Sequence, residues 1–289
     1  MSATAPQIRR DTVSVVLNVF KRSANYEAQL AAIKAQTHPV TEILVWENGN
    51  DSVPPQTASV HARSSKNLGV WARFAFALNA TSDFVWMIDD DSIPGPQWLA
   101  SALDAHYKTG GLIGSRGLRF RTTDSYTLYD EFGPNSPNSE IVEVDIVGHN
   151  WIFPKSWLAH FWGLGNQRFD HDLAGEDIHL SFSIQRELGI GTFVPAHPQD
   201  SVSKWGEAPA NSAIFGKDHH AISTNPASMQ RFEQAYAHYI SVGFRPLCAR
   251  DANLRPGISD LVSAKVIKLN PSLAHKLAKL LRFNKSSKR

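Results

Sequence analysis

Cysteine is nearly absent: Cys248 stands alone among 289 residues, so no internal disulfide can form, and one free thiol fits a reducing compartment. Long hydrophobic runs are missing too, and nothing approaches the ~20 apolar residues of a membrane-spanning helix. The opening MSATAPQIRRDT has no apolar stretch after its arginines, which speaks against a secretory signal. The expectation is a cytoplasmic protein. Internal repeats and low-complexity tracts are absent. An excess of base is lacking over most of the chain. The net charge is +2, yet residues 261–289 hold eight of the 29 Lys/Arg and no Asp/Glu, leaving 21 bases against 27 acids before them. A body of that sign does not suit nucleic acid, which calls for a basic face on the folded domain.

What is present is the composition of a globular protein, 42% hydrophobic and 19% charged, long enough for one large α/β domain or two fused halves. Val13 to Leu17 is a short β-branched run, followed by Tyr26, Leu30 and Ile33 at helical spacing. Glu42 to Trp46 reads as a second strand, closed by the turn-forming cluster Glu47 to Asp51, with a loop through Pro54 and Pro55 after it. A helix is predicted from about Val70 to Asn79, then the apolar strand Phe84 to Ile88. Strands alternating with helices imply a mainly parallel sheet with helices on both faces. Ligands then bind beyond the carboxyl ends of the strands, where Glu47 and Asp89 to Asp91 fall. Farther on, Gly110 to Phe120 holds a strand, 121–140 is a polar loop, and Ile141 to Val147 alternates as a half-exposed strand would. A helix begins near Pro154 or Lys155, and 176–188 reads as an amphipathic helix with two acids in its first turn.

Two acidic groupings carry the chemistry. Asp89-Asp90-Asp91 closes a buried strand, where three adjacent carboxylates repel one another unless a cation or hydrogen-bond donors offset them. A divalent metal bridging two phosphates does so efficiently; a solvated turn capping the next helix is the alternative. Glu176-Asp177 follows Gly175 at a helix start. There an acid either caps the helix or, facing a cleft, removes a proton from an acceptor hydroxyl. Of the histidines, His149, His171, His179, His197, His219 and His220 lie in the second half without zinc-like spacing. Several tryptophans are available for stacking on sugars, although core filling suits most of them.

The order of three stretches, VSVVLNVFKRSANYEAQLAAIKAQTHPVTEILVWENGND, KNLGVWARFAFALNATSDFVWMIDDDS and GEDIHLSFSIQRELG, resembles the family 2 glycosyltransferases of GT-A fold. The likeness is densest over 13–99 and returns at about 146–200. It implies a GT-A domain over 1–230, with a nucleotide-binding half (1–91) and an acceptor half (92–230), then a helical extension over 231–289. By position, Asn18, Val19, Phe20, Arg22 and Glu47 would hold the base and ribose of a nucleotide-sugar, and Asn67, Gly69 and Arg73 would line its pocket. Glu47 stands where the family usually has aspartate. Asp89, Asp90 and Asp91 match the DxD region: Asp91 is the implied ligand for Mn²⁺ or Mg²⁺, Asp89 lies nearer the ribose and is a second candidate ligand, and His219 is a further one. Asp177 matches the family's base and Glu176 its acidic neighbour, while His149, Asn150 and Trp151 fall on the acceptor side. The implied reaction is metal-dependent transfer, with inversion, from a UDP-sugar to a glycan or lipid-linked hydroxyl. A secondary similarity to exostosin-like family 64 transferases, which retain configuration, leaves a retaining enzyme open. A nucleotidyltransferase and a non-catalytic sugar-nucleotide-binding protein are the other readings. Where a nucleotidyltransferase has a glycine-rich loop this chain reads NVFKRSAN, without glycine. The basic tail, with Leu273, Leu277, Leu280 and Leu281 as a stripe among lysines, suits an anionic membrane surface; the alternative is a helix on the body or in a homodimer.

Overall fold

The computed structural model describes residues 11–49, 52–54, 58–165, 168–169, 174–208 and 226–269. The strands are β1 (Val13–Val19), β2 (Glu42–Asn48), β3 (Val60–Ser64), β4 (Phe84–Ile88), β5 (Leu112–Phe120), β6 (Tyr129–Phe132), β7 (Val142–Val144), β8 (Ile146–Pro154) and β9 (Thr192–Val194). They form one sheet in the order β3-β2-β1-β4-β8-β5-β9-β7, with β6 also on β5. The helices are α1 (Tyr26–Lys34), α2 (Ala72–Phe76), α3 (Trp98–Thr109), α4 (Leu158–Gly163), α5 (Glu176–Leu188), α6 (Pro226–Ser241), α7 (Leu247–Arg250) and α8 (Ile258–Leu269).

The expected α/β sheet flanked by helices is present. Its first half is parallel throughout, β3 to β4, as helical crossovers require. From β4 onward most pairings are antiparallel. Side chains alternate across β4: Val85 and Met87 join one core with α2, α4 and α5, while Phe84, Trp86 and Ile88 join the other with α1 and α3. Because both faces are covered, β4 is apolar along its whole length.

Several expectations shift in detail. The helix expected over Val70–Asn79 is α2 plus a 3-10 turn at Ala77–Asn79. Strands β3 and β6 lie in stretches read as loop. The single strand expected at 141–147 is broken between β7 and β8 by Asp145, only 2% exposed. Its carboxylate points inward and accepts from the backbone of Phe120 at 2.7 Å and of Leu247 at 2.5 Å. The boundary expected at 230/231 falls inside α6, whose Ala235, Tyr236 and Tyr239 are buried in a third core with α5 and the end of β5. The leucine stripe from Leu273 lies outside the described residues.

Candidate active site

In the parallel half, Val19 is level with Glu47 and Leu17 with Ile88, so β1, β2 and β4 end at one rim. Antiparallel β8 brings its starting residues to that rim, pairing Ile88 with Asn150, and Asp89 donates its backbone N–H to the carbonyl of His149 at 2.9 Å. The β5–β8 register slips between Gly114 and Arg116, and His149 adopts φ +69°. A bulge with one residue in the left-handed region re-aims side chains, as such irregularities do beside active sites.

The aspartates turn under the grip of α1. The side-chain amide of Gln29 donates to the carbonyls of Asp89 (2.7 Å) and Ser92 (3.1 Å), and that of Asn25 to the carbonyl of Asp90 (2.8 Å). Two arginines meet the carboxylates. Arg22 reaches Asp90 at 2.6 Å and Asp91 at 3.2 Å. Arg73 from α2 is ion-paired with Asp89 and, through its other terminal nitrogen, with Glu176 at 2.9 Å. The Arg73 guanidinium is buried above the Trp151 ring, 4.6 Å from its centroid. One side chain thus joins two acidic groupings far apart in sequence.

Charge in this corner is not fully offset. Burial, with Asp91 adding to it and Arg22 opposing, pushes Asp90 up to about 7. Asp91 is raised by burial and by repulsion from Asp89. At the start of α5, burial and repulsion from Asp177 push Glu176 up to about 7 against the pull of Arg73, and burial pushes Asp177 up to about 6. Asp177 also accepts from the N–H of Ile178 at 2.7 Å at the start of its helix and is half-buried there. Gly175 ahead of them has φ +100°, with Ala235 and Phe169 each 3.3 Å from where a Cβ would stand, so glycine is required there.

Among the described residues no group of three or more His, Cys, Asp or Glu could hold a metal. The aspartates offer hard oxygen donors and uncompensated negative charge, which fits Mg²⁺ or Mn²⁺ held by one or two carboxylates and completed by phosphate and water. His219, like His171 and His220, lies outside the described residues. His179 and His197 are buried core residues, each pushed down to about 4 by burial.

The remaining expected residues divide. Asn67 accepts from Asn48 (2.9 Å) and from the N–H of Gly69 (2.8 Å), shaping the loop at the rim beside Phe20 and Gly49. Asn18, next to last in β1, is half-buried, whereas Val19 at its end is 2% exposed and offers only main chain. Glu47 is buried and engaged by Arg63, by His61 at 3.0 Å and by the N–H of Val53 at 2.8 Å. These donors overcome the cost of its burial and hold its carboxyl below the usual range. Arg22 and Arg73 lie on the aspartates rather than in an open base pocket.

The acceptor assignment needs correcting for two residues. Asn150 is fully buried, accepting from Trp86 at 3.0 Å and donating to the carbonyl of Gly206 at 2.9 Å. Trp151 is 2% exposed and donates to the carbonyl of Val147 at 2.8 Å. Most of β8 is buried, and the bulged His149 is one of its few partly exposed residues. Its ring stands 3.4 Å from Glu207 and 3.3 Å from Arg116. Burial opposes its charge, but Glu207 outweighs burial and brings His149 up to about 9. Arg116 in turn is paired with Glu131 at 2.8 Å.

Sequence reading missed Asn25, Gln29, Arg116, Glu131 and Glu207. Gln29 alone left a signal, being polar beside the apolar stripe of α1. An apolar hollow of about 320 Å³ lined by Trp46, Trp71, Phe76 and Trp162 has none of these acids in its wall.

The rim of this sheet thus gathers an aspartate triplet, two arginines and a second acidic pair into one cluster. The profile of Glycosyl transferase family 2 matches residues 14–162, and the chain belongs to that family; it is a glycosyltransferase. A search of curated proteins gave no match. Among solved structures, the mannosyltransferase PcManGT from Pyrobaculum calidifontis, in complex with GDP-Man and Mn²⁺, is 16% identical with a TM-score of 0.47. The match covers 96% of this chain and 88% of that one.

Proposed function

We propose that this glycosyltransferase moves a sugar from a nucleoside diphosphate sugar, a UDP-sugar in the first instance, onto a hydroxyl of a glycan or lipid-linked acceptor, with inversion and with Asp177 as general base. The observation that carries this reading is the double ion pair of Arg73, which brings the carboxylates of Asp89 and Glu176 to one guanidinium. An in-line displacement needs a leaving group on one side and a proton acceptor on the other, and that bridge sets the two acidic groupings within reach of one substrate.

The base and ribose would lie on the rim formed by Asn18, Phe20 and the Asn67–Gly69 loop. Asp91, with Asp89 beside it, would hold Mn²⁺ or Mg²⁺ against the diphosphate. When bound, such an ion supplies Lewis-acid neutralisation of the leaving group. Arg22 orients Asp90 and Asp91, and Arg73 fixes Asp89 relative to Glu176. Asp177 takes the acceptor proton. Burial keeps the proton affinity of Asp177 high enough for a base working near neutrality, and Glu176 beside it is raised by burial and by Asp177. His149 and Arg116 would contact the acceptor.

A panel of nucleoside diphosphate sugars, assayed for diphosphate release with and without Mn²⁺, tests this directly. Release from one donor, dependent on the cation, is expected. Tight donor binding with no release under any cation would leave a non-catalytic binding protein instead.

A further inference from the structure

Eight large hydrophobic side chains are exposed among the described residues, and three of them share one helix. On α8, Ile258 is 82%, Leu261 42% and Val262 55% exposed. Their spacing puts them on one side, with half-buried Val266 extending the arc and exposed Lys265 within it. The opposite side is anchored: Ala264 and Ile267 are buried against Leu128. Asp260, the one acid of α8, is turned inward and accepts from the N–H of Gly257 at 3.1 Å. The outward face is therefore apolar and cationic, free of acid. From Leu261 to the last residue the sequence has eight Lys/Arg and no Asp/Glu. Arg245, Arg250 and Arg255 are exposed in the segment leading into α8.

We infer that the outer face of α8 docks on an anionic lipid bilayer. An apolar strip flanked by bases is the pattern of an interfacial helix, which seats its apolar side at the acyl boundary and its cations among the headgroups. Each base near such a surface strengthens binding roughly five-fold. The charge decides among occupants, because a second copy of this chain would bring the same cations to the face and repel it. Nor is a span at issue: no helix among the described residues is long and apolar enough to cross a membrane.

The position of α8 gives the docking a use. Leu128, on which it sits, is two residues from Tyr126, whose phenol lies in the field of Asp177. The same turn is tied to α6 by Glu233, which accepts from Ser125 Oγ at 2.8 Å and from the Tyr126 N–H at 2.8 Å. A bilayer under α8 would thus meet the molecule on its acceptor side, where a lipid-linked hydroxyl enters. Docking itself is independent of Asp177; only this use of it rests on the function proposed above.

Co-sedimentation of the full chain with vesicles, in the absence of any sugar nucleotide, tests the inference. Neutral phosphatidylcholine vesicles are compared with equal mixtures of phosphatidylcholine and phosphatidylglycerol. Binding is expected to the anionic vesicles alone, and to fall about 10-fold or more in the I258S/L261S/V262S variant. Its melting temperature should be unchanged, since all three side chains are exposed. The R255Q/K265Q variant should lose about 25-fold at low salt. Wild-type binding by the I258S/L261S/V262S variant, or equal sedimentation with both vesicle types, overturns the inference. So does a dimer that this variant dissolves without change in lipid binding. Diphosphate release measured in parallel without vesicles separates a failure of docking from a failure of catalysis.

Discussion

Asp89 to Asp91 end a buried strand and are clamped from several sides, by Arg22, by Arg73 and through their carbonyls by α1. Glu176 and Asp177 begin a helix and have Arg73 as their principal cation. The aspartate corner is fixed in position, with negative charge left for an incoming cation. In the α5 pair burial raises both acids, with repulsion from Asp177 adding to it at Glu176, so that protons exchange near neutrality, as the proposed general base needs. Carboxylates differently supported thus suit the first group to holding a cation and, on the function proposed here, the second to accepting a proton.

The comparison breaks most severely at Asp91. Asp91→Ala should abolish cation-dependent diphosphate release and leave the melting temperature nearly unchanged, as read by a release assay and a thermal melt. Unaltered release with added Mn²⁺ would remove the aspartates from the reaction. Arg73→Met strands Asp89 and Glu176 without their shared partner. Breaking a buried pair in this way should cost about 3–5 kcal/mol of stability by denaturant titration. A cost below about 1 kcal/mol, the range of surface pairs, would mean the bridge is solvated.

Asp177→Asn should lower transfer by about 100-fold while donor affinity is kept. If donor affinity falls and transfer per bound donor does not, Asp177 is a helix cap only.

The gentlest probe is pH. The base must be ionised, so transfer should rise up to about tenfold per unit below the transition and level off above about pH 7. Stability runs the other way. Both acids have folded values raised above their unfolded ones, so the native state binds more protons. Their contribution to stability is present at low pH and is lost as pH rises from about 4 to about 7. Activity and melting temperature measured on one pH series should diverge, and parallel curves would mean the pair is not what titrates.

Much of this was legible beforehand, for physical reasons. Helix α5 runs from Glu176 to Leu188, the span its apolar spacing marks out, and Ile178, Leu180 and Ile184, which carry that spacing, are buried, although their polar neighbours His179, Ser181 and Ser183 are buried too. β4 was plain because both its faces are covered. β3 and β6 were not: β3 is a half-buried edge strand without clear alternation, and β6 has four residues. Asp145 misled because an acid in an alternating stretch reads as outward, whereas two backbone N–H groups brought from distant segments make the inward position tenable.

By itself the sequence determined the alternation of strands and helices, the rim on which the parallel strands end, and the two acidic groupings, since local periodicity and composition encode each of them. Only tertiary structure decided that Arg73 would join those groupings, that Asn150 and Trp151 would be buried while His149 is turned out by a bulge, and that α8 would show an apolar face. Those outcomes depend on which distant segments meet, and spacing along a chain carries no record of what approaches from across the fold.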